Sequence, residues 1–424
     1  MNKIITLLFA AAVSTQYAFS QSMPSRASVL KTMERVNDYF ISVHPDPTKP
    51  TFVKKERPSN LWTRGVYFEG LMALTDIEMQ MAAAEHDSLM KKAASKAGDY
   101  RRYIKEWGTF HKWTPRNGVA TKDADDYCCS QTYIDMFMLT PGESFGHQKD
   151  YITPSTECMN NLLMRDNTDW TWIDAIQMGL PVLAKLERAK YLTEGKIYPQ
   201  YMEKGWNMYK WTRDTLANGL YNPKEGLWWR DKDFVPPYKE PNGSNCYWSR
   251  GNGWVYAALV RTMDAMLVAE SADNFSFFEP IDAEKWKKLP IESHFDDYLD
   301  DFKAMSEALL KCQRTDRFWN VSLHDESNYG GKELTGTSLF IYGMAWGVRH
   351  GYLNRSRFLP VIVDTWNAMV KKCVHRSGFL GYVQGTGKEP KDSQPVGYRT
   401  EPDFDDFGLG CFLLAGTEVF KLAD

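Results

Sequence analysis

The chain has 424 residues, with Lys+Arg 51 against Asp+Glu 54 and a formal net charge of -3 at pH 7, a balance that offers no basic surface to nucleic acid or to an anionic membrane. Aromatic residues make up 14% of it, with Trp 15, enough that some rings are expected to do more than fill a core. Its seven cysteines are odd in number and form no Cys-x-x-Cys pair, so neither a disulfide framework nor a zinc site is expected, and no cofactor motif accompanies them.

The chain opens on a leader pattern. Lys3 precedes the apolar run 4–13, and Ala18-Phe19-Ser20 puts small residues where a signal peptidase would cut before Gln21. Residues 1–20 are therefore read as a signal peptide that exports the chain, with the periplasm as the expected destination. No cysteine precedes Cys128, so a lipid-anchored cysteine at the new N-terminus is not expected. No later apolar run approaches the roughly 20 residues of a membrane span. Residues 21–424 contain no Ser-, Gly- or Pro-rich linker of useful length and read as a single domain.

Two kinds of helical segment then alternate along the chain. Amphipathic segments with a charged face are expected near 26–43, 90–110, 156–165, 198–216, 295–312 and 357–374. Between them lie segments rich in small and aromatic residues, apolar on every side and entered through a polar turn: 64–71, 130–139, 173–186, 251–260, 337–347 and 408–420. Helices apolar all round belong inside and helices polar on one face belong outside, so twelve of them in alternation predict an all-α fold, an (α/α)6 barrel. The Pro- and Gly-punctuated gaps 228–245 and 273–293 are expected beside its mouth.

In such a barrel the starts of the inner helices converge on one rim. The residues placed there are Trp62 and Arg64; Asp125 and Asp126; Trp170, Trp172 and Asp174; Trp248, Arg250 and Trp254; Glu333 and Thr335; Asp405 and Asp406. Carboxylates, indoles and arginines alternate, which suits a carbohydrate better than an apolar ligand. No phosphate loop, no Gly-x-Ser-x-Gly and no strand-borne Gly-x-Gly-x-x-Gly is present.

The stretch Cys246-Tyr247-Trp248-Ser249-Arg250-Gly251-Asn252-Gly253-Trp254 is the most informative. A guanidinium between two indoles is suited to a sugar acid, because it forks onto a carboxylate while an indole face lies against the ring. The structural alternative is a buried helix start with Arg250 paired to a core carboxylate. Asp174, flanked by Trp170, Trp172 and isoleucines, is either a desolvated acid with a raised pKa or a helix cap with a lowered one. Asp125 and Asp126 divide the same way, one expected to cap and the other to act.

The run 248–254, the Trp172-Ile173-Asp174 helix start with Met178 and Pro181, the Asp125-Asp126 turn and Gly408-x-Gly410-x-x-x-Leu414-Ala415-Gly416 together resemble the unsaturated uronyl hydrolases, glycoside hydrolase families 88 and 105. The resemblance spans nearly all of residues 21–424. It implies an (α/α)6 hydrolase that removes a 4,5-unsaturated uronic acid from the non-reducing end of lyase-generated oligosaccharides, with pectin and rhamnogalacturonan fragments favoured, by hydrating the C4–C5 double bond. It implies Asp174 as the proton donor and Asp125 or Asp126, with Asp125 favoured, as the second carboxylate. It also implies Arg250, Trp248 and Trp254 as the grip on the unsaturated ring, with Trp62 and Trp172 alongside.

Two departures bear on the substrate. Leu163-Met164-Arg165-Asp166 stands where several relatives carry His-Lys, and Gly226-Leu227-Trp228-Trp229 is followed by Arg230 where some have His. Arg230 is either a second cation for the uronate or a side chain lying over Trp229. Other functions remain open on the residues alone: an inverting glycosidase acting on saturated glycosides, a non-catalytic sugar-acid binder and, less favoured, an epimerase, which would need paired histidines.

Overall fold

Ser-, Ala- and aromatic-rich helices with no polar face are stable only when other helices cover them on every side. A computed structural model describes residues 22–53, 55–84, 88–139, 145–270, 285–291 and 293–423 and shows how this is met. The helices are α1 Arg26–Val43, α2 Trp62–Ala84, α3 Ser88–Phe110, the one-turn α4 Ala124–Tyr127, α5 Ser130–Leu139, α6 Phe145–Leu163, α7 Asp174–Glu194, α8 Pro199–Lys210, α9 Ser249–Ala265, α10 Phe295–Lys311, α11 Leu334–Arg349, α12 Arg355–Lys372 and α13 Phe407–Leu422. Three short antiparallel hairpins interrupt them: β1 Thr51–Val53 with β2 Lys55–Arg57, β3 Tyr221–Asn222 with β4 Leu227–Trp228, and β5 Leu267–Ala269 with β6 Trp286–Lys288. The expected leader, residues 1–20, lies outside the described residues.

The inner ring closes on itself. Helix α2 packs on α5, α5 on α7, α7 on α9, α9 on α11, α11 on α13, and α13 returns to α2. Outside it, α3, α6, α8, α10, α12 and α1 each cover one inner helix, α2, α5, α7, α9, α11 and α13 in turn. This is the (α/α)6 barrel expected from the alternation. Every residue of α11 from Leu334 to Val348 is buried, whereas α10 buries Phe295, Tyr298, Leu299, Phe302, Met305 and Leu309 and leaves its acidic face out. Among the described residues no helix is long and apolar enough to cross a membrane.

Closure depends on a glycine contact. A Cβ on Gly410 would lie 2.2 Å from the Val66 carbonyl oxygen, and one on Gly70 would lie 2.5 Å from the Gly410 carbonyl oxygen. Helices α2 and α13 therefore touch backbone to backbone, which only glycine allows.

The mouth differs in one respect from the expectation. The 228–245 connection does reach it, through Arg230. Of the 273–293 stretch, residues 273–284 and 292 lie outside the described residues, and the rest does not approach the mouth: β6 pairs with β5 directly after the C-terminus of α9, and Trp286 packs on His350 beyond the end of α11. The strand pairing holds this hairpin at the opposite end of the barrel. The 373–406 connection covers the mouth instead, with Thr386, Gly387 and Phe404 on the cavity wall and Lys388 ion-paired to Asp233 of the neighbouring connection at 3.3 Å.

Gly410→Ala is expected to lower stability by about 2–3 kcal/mol, since the clash is with backbone that has nowhere to go. Gly98→Ala, on exposed α3 with nothing within 4 Å of the added carbon, should instead raise the melting temperature slightly. Equal melting temperatures for the two variants would show that the α2–α13 contact does not limit the barrel.

Candidate active site

At the N-terminal rim of the inner ring lies a cavity of about 300 Å³. Trp62 opens α2 on its wall, Asp125 comes from α4, Trp172 and Asp174 from the entry to α7, Arg230 from the segment after β4, and Trp248, Arg250 and Trp254 from the start of α9. Of the site residues expected from the sequence, all but Asp126 line it.

Local structure explains why they meet. Trp172 forms an antiparallel bridge with Asp231, and the Ile173 N–H donates to the Arg230 carbonyl at 3.0 Å, so the entry to α7 is sewn to the segment after β4 that carries Arg230. Helix α9 is held to β4, directly before that segment, by Asn252. Its Oδ1 accepts from the Trp228 N–H at 2.8 Å, and its Nδ2 donates to the Trp228 and Trp248 carbonyls, each at 3.0 Å. A Cβ on Gly251 would stand 3.0 Å from the Trp248 ring, 3.2 Å from Ile173 and 3.5 Å from Asp174 Oδ1, which is how closely α9 approaches the acid. The Asn and Gly of the Arg-Gly-Asn-Gly-Trp run thus position the site rather than line it.

Asp174 is the first residue of α7 and is 8% exposed. Its Oδ2 accepts from Arg230 Nη2 at 3.2 Å, while Oδ1 is buried with no hydrogen-bond partner. The helix start has no side-chain cap, so the capping reading of Asp174 fails. Burial raises its pKa, outweighing the charges of Arg230 and Arg250, which pull it down.

Asp125 is half-buried, and burial, with the charges of Asp123 and Asp174 adding to it, pushes its pKa up to about 8 against the downward pull of Arg230. At neutral pH this carboxyl is mostly protonated. The cap on α4 is neither Asp125 nor Asp126: Asp123 accepts from the Asp125 N–H at 3.1 Å. Asp126 is buried away from the cavity. It takes hydrogen bonds from Asn117 Nδ2 at 3.0 Å and from the Thr121 hydroxyl and pairs with Arg116 at 3.2 Å, so its carboxylate holds the 116–121 loop together.

Arg250 corrects both readings of its role. Among the described residues it makes no ion pair with a core carboxylate, and its fork is closed on main chain: Nη1 donates to the Gln384 carbonyl at 2.5 Å and Nη2 to the Gly385 carbonyl at 2.7 Å. The guanidinium lies over the Trp248 ring at 4.5 Å and the Phe407 ring at 5.1 Å. Trp248 Nε1 donates to Gln384 Oε1 at 3.0 Å. The pair therefore anchors the covering connection, and the Nε–H of Arg250 remains buried and unpaired. Arg230 does not lie over Trp229; it bridges Asp174 and Asp231, the latter at 2.8 Å, and its Nε–H is also buried and unpaired. Buried polar groups are normally satisfied. Three that are not lie on residues of this one cavity.

The remaining rim residues are structural. Arg64 Nε donates to Asp406 Oδ2 at 3.1 Å in a buried pair, Glu333 caps α11 through the Thr335 and Gly336 N–H groups at 2.9 and 2.7 Å, Asp405 pairs with His44 at 2.7 Å, and Trp170 Nε1 donates to the Tyr127 hydroxyl at 2.9 Å. The sequence reading missed Arg57, Arg116, Thr386, Gly387 and Phe404, which reach the cavity from hairpins and connections with no periodicity to betray them. Among the described residues no cluster of three or more His, Cys, Asp or Glu could hold a metal ion, and all seven cysteines are free.

A closed six-hairpin ring with carboxyls, arginines and indoles around a rim cavity is the architecture of a carbohydrate-active protein of the (α/α)6 class. The chain matches Glycosyl Hydrolase Family 88 over residues 32–423, and it belongs to that family and is a glycoside hydrolase. It is 29% identical over 385 residues to an unsaturated 3S-rhamnoglycuronyl hydrolase of Formosa agariphila, covering 86% of this chain and 85% of the relative. It is 30% identical over 321 residues to a hydrolase of the same description from Alteromonas sp., covering 70% and 66% respectively. Among solved structures, a glycosyl hydrolase family 88 protein from Bacteroides vulgatus superposes with TM-score 0.71 at 26% identity, over 94% of this chain and 99% of that one.

The raised pKa of Asp125 has a consequence for stability. Its folded-state value, about 8, exceeds the ordinary value of about 3.9, so the folded protein holds this proton more tightly than the unfolded chain. The stability it contributes is complete below about pH 4 and is lost as pH rises through about 8. Asp125→Asn should therefore gain melting temperature relative to the wild type between about pH 5 and pH 9. A difference in melting temperature that stays constant across that range would show that the carboxyl is not held protonated.

Proposed function

We propose that the protein removes a 4,5-unsaturated uronic acid from the non-reducing end of oligosaccharides released by polysaccharide lyases, by hydrating the C4–C5 double bond. One observation carries the reading: Asp174 Oδ1 is a buried, unpartnered oxygen on a carboxyl that burial holds toward its protonated form, on a wall shared with the unpaired Nε–H groups of Arg230 and Arg250. An acidic sugar meets both needs. Its carboxylate takes the arginine donors, and the electron-rich C4 of its enol ether takes the proton.

The steps balance without a cofactor. Asp174 delivers its proton to C4, positive charge develops at C5 and is shared with the ring oxygen, and water adds to C5 while returning a proton to the Asp174 carboxylate. The C5 hemiketal opens to a ketone, leaving at C1 a hemiacetal that releases the rest of the chain as an alcohol. Asp125, mostly protonated at neutral pH, is suited to donate a hydrogen bond to a ring hydroxyl. It is poorly suited to act as the ionised base an inverting glycosidase would need. Trp62, Trp172, Trp248 and Trp254 supply ring-sized walls. The relatives named unsaturated 3S-rhamnoglycuronyl hydrolases support a rhamnose neighbour for the unsaturated residue.

Asp174→Asn should lower kcat at least about 100-fold while leaving binding measurable, because the amide keeps the shape but has no proton to transfer. In deuterium oxide the wild-type protein should place deuterium at C4 of the released keto sugar, read by NMR of the initial product. An unlabelled C4 would mean cleavage at the anomeric carbon and would overturn hydration.

Residues 1–20 are proposed as a leader that sends the hydrolase to the periplasm without a lipid anchor, on the pattern of Lys3, the apolar run and Ala18-Phe19-Ser20. Mass spectrometry of the protein from its native host should give an N-terminus at Gln21. An intact Met1 would remove the proposal.

A further inference from the structure

Helix α7, which begins at Asp174, runs unbroken through Pro181. Proline has no N–H, so the main-chain carbonyl of Gln177, four residues earlier, loses the helix bond that any other residue at 181 would give it. A buried carbonyl needs another donor. Gln131 of α5 supplies one, its Nε2 donating to the Gln177 carbonyl at 2.9 Å. At this point a bond within a helix has been replaced by a bond between helices.

Gln131 and Gln177 belong to a closed circuit. The Gln177 side chain donates through Nε2 to Glu69 Oε2 of α2 at 2.9 Å, Arg261 Nε of α9 lies 3.4 Å from that same oxygen, and Arg261 Nε donates to Gln131 Oε1 at 2.9 Å. All four residues are buried, and none of them lines the mouth cavity. They join α2, α5, α7 and α9 at one level of the core. Glu69 Oε1 also accepts from the Cys128 thiol at 3.4 Å, at the end of the one-turn helix that carries Asp125. Asp174 stands one turn of α7 closer to the rim than Gln177, on the same side of the helix.

We infer that Gln131 is a positioning residue for the reaction: by holding the carbonyl that Pro181 leaves free, it fixes the opening turns of α7 and with them the place of the Asp174 carboxyl. Helices bend at proline, so the turns before Pro181 need a restraint that the helix itself does not supply. Asp174 lies about 10 Å along the helix axis from Pro181 at the usual rise per residue. A tilt of about 5° at the proline would carry the carboxyl about 1 Å, and a displacement of that size costs up to about 100-fold in rate. The bonds at the entry to α7, from Ile173 to Arg230 and from Arg230 to Asp174, restrain the helix start from the mouth, and Gln131 restrains it from the core. The inference rests on the reading of Asp174 as the proton donor.

The test measures kcat and KM on an unsaturated disaccharide for Gln131→Met, made in the wild type and in a Pro181→Ala background, with rates referred to the folded fraction by circular dichroism. Alanine at 181 returns the N–H that the Gln177 carbonyl lacks. In the wild-type background Gln131→Met should lower kcat about tenfold or more and leave KM within about threefold, because the groups that grip the sugar are untouched. In the Pro181→Ala background the same change should lower kcat no more than about threefold, while the melting temperature falls in both, since Arg261 loses its acceptor in both. An unchanged kcat in Gln131→Met, a loss confined to KM, or an equal loss of kcat in the two backgrounds overturns the positioning role. If Gln131→Met does not fold, Gln131→Glu carries the same comparison with the same expected outcomes: it keeps an acceptor for Arg261 and, ionised beside that guanidinium, has no donor for the carbonyl. A wild-type kcat in Asp174→Asn would instead remove the acid assignment on which the inference rests.

Discussion

Helices α2 and α13 cross with Gly70 and Gly410 in backbone contact, and that contact closes a ring whose members are otherwise joined only to their immediate neighbours. Closure turns alternation along the chain into a geometry in which all six inner helices start at the same rim. Their N-termini carry partial positive charge, so the rim is prepared for an anionic ligand before any side chain is counted. Segments more than 200 residues apart in the chain, from Arg57 to Phe404, then face one cavity. Neither end of the chain could build this site alone.

Within that ring the site is assembled from groups left unsatisfied. A buried donor or acceptor without a partner costs about 1–3 kcal/mol, and the cavity keeps at least three: Asp174 Oδ1, Arg230 Nε and Arg250 Nε. The surrounding packing holds them in place. Arg230 is fixed by Asp174 and Asp231 on one side and by its main-chain bond to Ile173 on the other, and Asn252 ties α9 to β4 just before it. Burial opposes the charge of Arg230, but Asp174 and Asp231 outweigh it and raise its pKa, keeping it cationic. Asp174 is shifted the other way, toward neutrality, because desolvation exceeds what the guanidinium groups of Arg230 and Arg250 return. A cation and a carboxyl tending to neutrality in the same few ångströms are the two properties that hydration of an anionic enol ether requires.

The role of Arg250 shows how chemistry can be read correctly and assigned to the wrong contact. Its flanking indoles are on the cavity wall as expected, yet its two terminal nitrogens grip the 384–385 carbonyls. The consequence is a coupling between the catalytic floor and the 373–406 connection. Through Trp248 and Gln384, the residues that shape the terminal-sugar pocket also hold its cover.

The sequence by itself determined the architecture, because helices apolar on all sides have no stable place except inside, and six of them alternating with six amphipathic ones leave one closed arrangement. It also determined which residue types reach the rim, since helix starts follow from turn chemistry: Trp62, Asp125, Trp172, Asp174, Trp248, Arg250 and Trp254 were legible in this way, while Arg230 drew notice only as a departure from the family pattern. Only the tertiary structure decided their partners. Asp126 faces the 116–121 loop while Asp125 faces the cavity, a difference of one residue around a one-turn helix that no pattern in the chain encodes. Arg64, Glu333 and Asp405, equally charged and equally placed on the rim, are consumed by Asp406, by a helix cap and by His44. Arg57 and Phe404 come from a hairpin and a connection without periodicity. Whether a charged side chain is a ligand group or a brace depends on what packs within hydrogen-bonding distance of it, and those neighbours are set by long-range closure of the ring, not by adjacent sequence.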